Sequence, residues 1–219
     1  MARRQARLRS AQPEARMQLE DESAALWAPE LDGVARDLLN SAVRCFATSG
    51  YHATTTRDVS TGAGLSPAAM YVHFPSKELV LYEIIRTGHE RALQEIRDPS
   101  IESAPAAADG LRLLVSRYTA WHARHHVAAR VAQYELAGLA PEHYAEVMEI
   151  RHATNDVFRR AVSRGVEDES FARVDVLPVV RGMLSLSIDL VRWYRLEDAD
   201  SPEHLGALYG DLALKMVSR

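Results

Sequence analysis

Between Thr54 and Lys77 the chain reads TTTRDVSTGAGLSPAAMYVHFPSK. These side chains suit nucleic acid better than bond-breaking. Hydroxyls, cations and the free N–H groups at a helix start take phosphate oxygens, and such contacts place a protein on DNA. Small apolar side chains let a helix approach the bases, and an Ala methyl can meet a thymine methyl. The expected DNA-contacting set is Thr55, Thr56, Arg57, Ser66, Pro67, Ala68, Ala69, Tyr71, His73 and Lys77.

Two short helices must position that set. Thr55 with Asp58 three residues on forms a capping box, with Asp in place of the usual Glu. The helix it opens turns Val59 and Ala63 inward and ends at a turn made by Gly64. Ser66 caps a second helix with Pro67 at its first position, running to about His73. Met70 and Phe74 point to the core, which leaves Tyr71, His73 and Lys77 on the outer side. Two helices so joined form a helix-turn-helix, whose second helix enters the major groove. An amphipathic helix over 31–49, with Val34, Leu38, Ala42, Val43 and Phe46 on its stripe, supports the pair and stops at Gly50.

The rest of the chain is also helical. Ser76 caps a long connecting helix to about Arg97, with Leu79, Tyr82, Ile85 and His89 along one face, and Pro99–Pro105 is a linker. Leu111, Leu114, Val115, Tyr118 and Trp121 mark one helix, and Val127, Val131, Tyr134 and Leu136 another. A helix opening at Pro141 follows, then a strongly apolar one over Val176–Tyr194. The last is capped by Ser201, and its small residues Gly206, Ala207, Gly210 and Ala213 suit close helix approach. The fold class is all-α, with about nine helices: a flexible arm (1–30), a helix-turn-helix head (31–77) and a ligand-binding and dimerisation domain (78–219) that begins with the connecting helix (78–97).

Composition agrees. Hydrophobic residues are 47% of 219, aromatics 7%, and the net charge is −4. The first 16 residues carry five Arg against one acid, so Arg3, Arg4, Arg7 and Arg9 can reach DNA phosphates or a minor groove if the arm is not simply solvated. The acidic excess lies after residue 97. A single cysteine, Cys45, excludes an internal disulfide and has no His–Asp partners nearby in sequence. No secretory leader and no apolar run of membrane-spanning length is read, so a cytoplasmic protein without a membrane partner is expected.

Phe46–Tyr51, Thr55–Val59 and Gly64–Glu78 together resemble the TetR family of one-component transcriptional regulators. They are similar to its patterns F-x-x-x-G-Y/F, T-T-x-x-I and G-V-S-x-x-x-L-Y-x-H-F-x-S-K-E over about 50 residues. Ser60-Thr61, Pro67 and Met70 depart from the usual residues. The resemblance implies a homodimer built on the last two helices, a pseudo-palindromic double-stranded DNA operator, and a small-molecule effector among the middle helices that releases DNA. Val191-Arg192-Trp193-Tyr194-Arg195 resembles a segment of members that regulate lipid or steroid catabolism and sense acyl-CoA thioesters. The implied ligand residues are Arg192 for phosphate and Trp121, Tyr134 and Phe158 as walls. The alternative is that Arg192 is a surface charge and the aromatics are core.

His122, His125 and His126 can share a helix face as metal ligands do, but no nearby acid completes a set, and neither a metal nor a cofactor is expected. Two rival functions stay open: an architectural DNA-binding dimer without effector, and a helical-pocket enzyme, for which no nucleophile motif or phosphate loop speaks.

Overall fold

The computed structural model describes residues 22–196 and 200–219. Among them are ten α-helices and no strand. They are α1 (Gly33–Ser49), α2 (Thr56–Gly62), α3 (Pro67–His73), α4 (Lys77–Ile96), α5 (Pro99–Glu102), α6 (Ala107–Arg124), α7 (His126–Tyr134), α8 (Pro141–Glu167), α9 (Val176–Asp189) and α10 (Pro202–Val217). The all-α class holds, with α5 as an extra turn inside the expected linker: Asp98 caps it, Pro99 opens it and Ile101 is buried.

Local chemistry sets most helix ends. Side chains of Asp32, Thr55, Ser66, Ser76, Asp98, Asp175 and Ser201 each accept a backbone N–H in the first turn. Gly64, at φ 72°, carries the chain from α2 to α3 in the left-handed region that a side chain disfavours. The small head packs Leu38, Leu39, Ala42, Val43 and Phe46 of α1 against Val59, Met70 and Phe74. One continuous apolar core then runs on through α4, α6, α7 and α8.

Two expectations are corrected by long-range packing. The first concerns residues 22–30, expected to be part of a flexible arm; the stretch with Arg3, Arg4, Arg7 and Arg9 lies outside the described residues. Glu22–Ala25 form a 3-10 turn, and Leu26 and Trp27 are buried. The Trp27 indole donates to Asn40 Oδ1 on α1 at 2.6 Å, Arg91 on α4 donates to the Leu26 carbonyl at 3.3 Å, and Ser23 Oγ accepts the Ala128 N–H of α7 at 3.1 Å. This strap ties the head to two helices of the body.

The second concerns the small residues of α10, which suited close approach of another helix and, by the resemblance, a dimer interface. Gly206 and Gly210 instead face α6 of the same chain. A Cβ there would lie 2.5 Å from the Ser116 carbonyl oxygen and 2.8 Å from that of Arg112. Arg112–Asp211 and Arg124–Glu203 ion pairs flank this close approach.

The three histidines do not share a face. His122 is inside α6 with Nδ1 2.8 Å from the Tyr118 carbonyl, His125 is the cap residue where α6 ends, and His126 begins α7. Among the described residues no cluster of His, Cys, Asp or Glu is placed to hold a metal ion, and no helix is long and apolar enough to cross a membrane.

Trp27→Ala removes a buried indole and its hydrogen bond; a loss of about 3–5 kcal/mol in urea unfolding is expected. Burial also holds two imidazoles neutral. It pushes His89 down to about 3, with the Arg151 and His122 charges adding, and His122 down to about 4. A depressed base costs stability as pH falls below its unfolded value near 6.5, because only the unfolded chain takes the proton. Between pH 7.5 and 5.5 the pair should cost about 3 kcal/mol, flattening below about pH 4, and His89→Gln should remove about half of that pH slope.

Candidate nucleic-acid interface and the cavity behind it

The α2–α3 pair displays most of the expected DNA-contacting residues on one open surface. Thr55, Arg57, Ser66, Pro67, Ala68 and Tyr71 are exposed, and Thr56 and Ala69 are half-buried. Thr56 Oγ1 and the Tyr71 hydroxyl meet at 3.5 Å, joining the start of α2 to the end of α3. Val72 is 79% exposed on α3, the most exposed large apolar side chain described, and was not among the expected residues. Its only local signal was its place beside Tyr71 and one turn after Ala68.

Two residues, Lys77 and His73, depart from the outward-facing expectation, and the hydroxyl of a third, Thr55, is already engaged. The Lys77 ammonium turns inward and donates to the carbonyls of Tyr51 at 2.8 Å and Thr54 at 2.7 Å, 4.1 Å above the Tyr51 ring. Burial lowers its pKa. With two of three donors engaged, at most one is left for a phosphate. His73 is half-buried, with Nδ1 3.5 Å from the Asp32 carboxylate. The Thr55 hydroxyl is taken up by its own capping box: it donates to Asp58 Oδ2 at 2.8 Å and accepts the Asp58 N–H at 3.2 Å. The N–H groups of Thr56 and Arg57 remain at the start of α2, where a helix has no internal acceptors for them.

Cys45 is half-buried, and burial raises its thiol pKa, the opposite of what activates a nucleophile.

Behind the head lies a cavity of about 530 Å³ among α4, α6, α7, α8 and α9. Leu177, Val180, Leu184 and Ile188 of α9 form an apolar wall; His89, Tyr118, Gln133, Tyr134, Arg151, Asn155 and Arg181 bring polar groups. The lining is thus mixed, with one apolar wall from α9 facing mostly polar side chains.

The four ligand residues expected from the sequence do not converge on it. Only Tyr134 lines it. Phe158 is fully buried behind it, edge-on to Tyr118 at 5.2 Å. Trp121 faces a separate space under the N-terminal strap, beside Trp27 and Arg91. Arg192 is exposed, 3.5 Å from Asp189, in a shallow groove with Phe46, Gly50, Arg130 and Glu135. Tyr134 borders both that groove and the cavity, so the two adjoin. Arg151 and Gln133 were missed because each is a lone polar residue on an amphipathic helix, indistinguishable in sequence from a solvated one.

Comparisons with known proteins agree with this architecture. Residues 38–84 match the family described as bacterial regulatory proteins, tetR family, and residues 104–217 match the tetracyclin repressor-like C-terminal domain. The HTH-type transcriptional repressor KstR2 of Rhodococcus jostii is 30% identical over 161 residues, 73% of this chain and 78% of that protein. A crystal structure of a bacterial regulatory protein in the tetR family from Rhodococcus RHA1 superposes with a TM-score of 0.80 at 37% identity, over 86% of this chain and 98% of the other. The ketosteroid transcriptional regulator KstR2 of Mycobacterium tuberculosis superposes with a TM-score of 0.80 at 25% identity, over 88% and 98%. The chain, from its helix-turn-helix head to its last helix, belongs to the TetR family of transcriptional regulators.

Proposed function

We propose that this protein is a dimeric repressor, held on a pseudo-palindromic operator by α2 and α3 and released by a small hydrophobic effector, an acyl-CoA thioester. In this reading residues 31–77 read DNA and residues 78–219 bind the effector and dimerise. Regulators of the family bind operator DNA and act as dimers, and its members are not enzymes. The observation that carries the effector reading is the cavity itself, which borders the same helix, α4, that leaves the head. Two recognition helices must enter successive major grooves about 34–36 Å apart. An effector that binds better when α4 is displaced would break that spacing and free the DNA.

The acyl-CoA assignment rests on the Arg192 segment and on the adjoining groove. An acyl group would lie along the apolar α9 wall of the cavity while Arg192, at the mouth, would meet phosphate. The similarity to a ketosteroid transcriptional regulator of Mycobacterium tuberculosis agrees with a hydrophobic effector.

For the dimer, support comes from the outer faces of the last two helices. Leu186 on α9 and Leu208 and Leu212 on α10 are exposed, Leu212 by 44%. Leucines grouped on two neighbouring helices form the kind of apolar surface that a second copy covers.

Fluorescence anisotropy with DNA upstream of the protein's own gene, at two salt concentrations and with a panel of acyl-CoAs, tests the function. Tight, salt-sensitive binding released by one acyl-CoA is expected, and Tyr71→Ala should weaken operator binding at least about tenfold, or about 1.4 kcal/mol. Operator binding that no acyl-CoA disturbs would discard the thioester. The double variant Leu208→Glu/Leu212→Glu should run as a helical monomer in light scattering and lose operator affinity; a stable dimer would refute the α9–α10 interface.

A further inference from the structure

Arg151 is a half-buried cation with no acid beside it. Among the described residues it forms no ion pair. Its Nη1 contacts two neutral acceptors, Gln133 Oε1 at 2.7 Å and His89 Nε2 at 3.4 Å. These fix the direction of the guanidinium without neutralising it. The Nε–Nη2 edge makes no hydrogen bond among the described residues. That edge has the parallel N–H pair that receives a carboxylate in two hydrogen bonds.

The surroundings agree. The Arg151 charge is felt at His89, Tyr118 and His122, three buried groups around the cavity. A second cation, Arg181, lines the cavity from α9. The one acid on the lining, Asp189, is turned to Arg192 at 3.5 Å. The cavity therefore carries a net positive charge beside an apolar wall of Val180, Leu184 and Ile188. A half-buried guanidinium without a counter-charge leaves a group on the cavity wall suited to an anion.

We propose that the cavity takes an organic acid with an apolar body, whose free carboxylate is received side-on by Arg151 while the body lies along α9. This rests on the reading that the effector occupies this cavity. It differs from a CoA phosphate at Arg192 in both the residue and the anion.

The test is calorimetric titration of the full chain with straight-chain carboxylates of six to twelve carbons, their primary amides, and the matching CoA thioesters. At least one acid should bind, and its amide should bind at least about thirtyfold more weakly. Arg151→Gln should lose the acid by a similar factor, and Arg151→Lys should retain part of the affinity, because it keeps the charge and loses the fork. Circular dichroism without ligand checks that both variants are folded. Acid and amide binding alike, an acid that binds Arg151→Gln as tightly as the wild type, or no acid binding at all would overturn the carboxylate assignment. Any of these leaves the effector reading standing if a thioester binds and Ser185→Trp, which fills the cavity, abolishes it. A thioester that binds Ser185→Trp unchanged would sink the cavity as effector site and this proposal with it.

Discussion

One ammonium group sets how the reading head sits on the body. Lys77 opens α4 and donates to the carbonyls of Tyr51 and Thr54, in the segment that feeds α2. Hydrogen bonds to a charged group of this kind are worth about 1.5–3 kcal/mol each. The ring beneath it, Tyr51, packs on Gly138, where an added Cβ would lie 2.6 Å from the ring. The next residue, Glu78, accepts the Ala140 N–H at 2.9 Å and lies 2.8 Å from His143 Nδ1, which ties the same turn to the start of α8. Within three residues α4 is capped by Ser76, fastened to the head and fastened to the body.

This arrangement makes the head an extension of the body's core rather than a bead on a string. The head's own core is small, and α1 buries part of its stripe against α7 and α4. The strap at Ser23–Trp27 closes the same junction from the other side. Packed side chains, and not a loose hinge, join α4 to the head. His89 lies twelve residues along α4 from Lys77, about 18 Å of helix, so one helix borders the cavity at His89 and fastens the head at Lys77.

The cavity sets an apolar wall of α9 against a polar, charged side. The Arg151 guanidinium is aimed by neutral acceptors, its histidine neighbour is kept uncharged by burial, and the lining's one carboxylate is drawn off to the mouth. Neutral neighbours can orient a cation without matching its charge, which is what a site requires if it is to distinguish an acid from its amide.

Local sequence determined the helices and their ends. Thr55 with Asp58, Ser66 with Pro67, Ser76 and Ser201 act over three or four residues, so their caps are readable without any knowledge of the fold. The same holds for the Gly64 turn and for the inward set Val59, Met70 and Phe74. What a side chain meets across the chain was not readable. Lys77 and His73 have the periodicity of outward residues, yet backbone carbonyls 23 and 26 positions away and the Asp32 carboxylate take them up. Gly206 and Gly210 look ready for any helix, and α6 decided their partner. Trp121, Tyr134, Phe158 and Arg192 share a chemistry but not a place, because a pocket is a property of packed helices. Propensity and capping are local and add along a chain, while the position of a guanidinium in a cavity depends on five helices at once, and only the tertiary structure decided it.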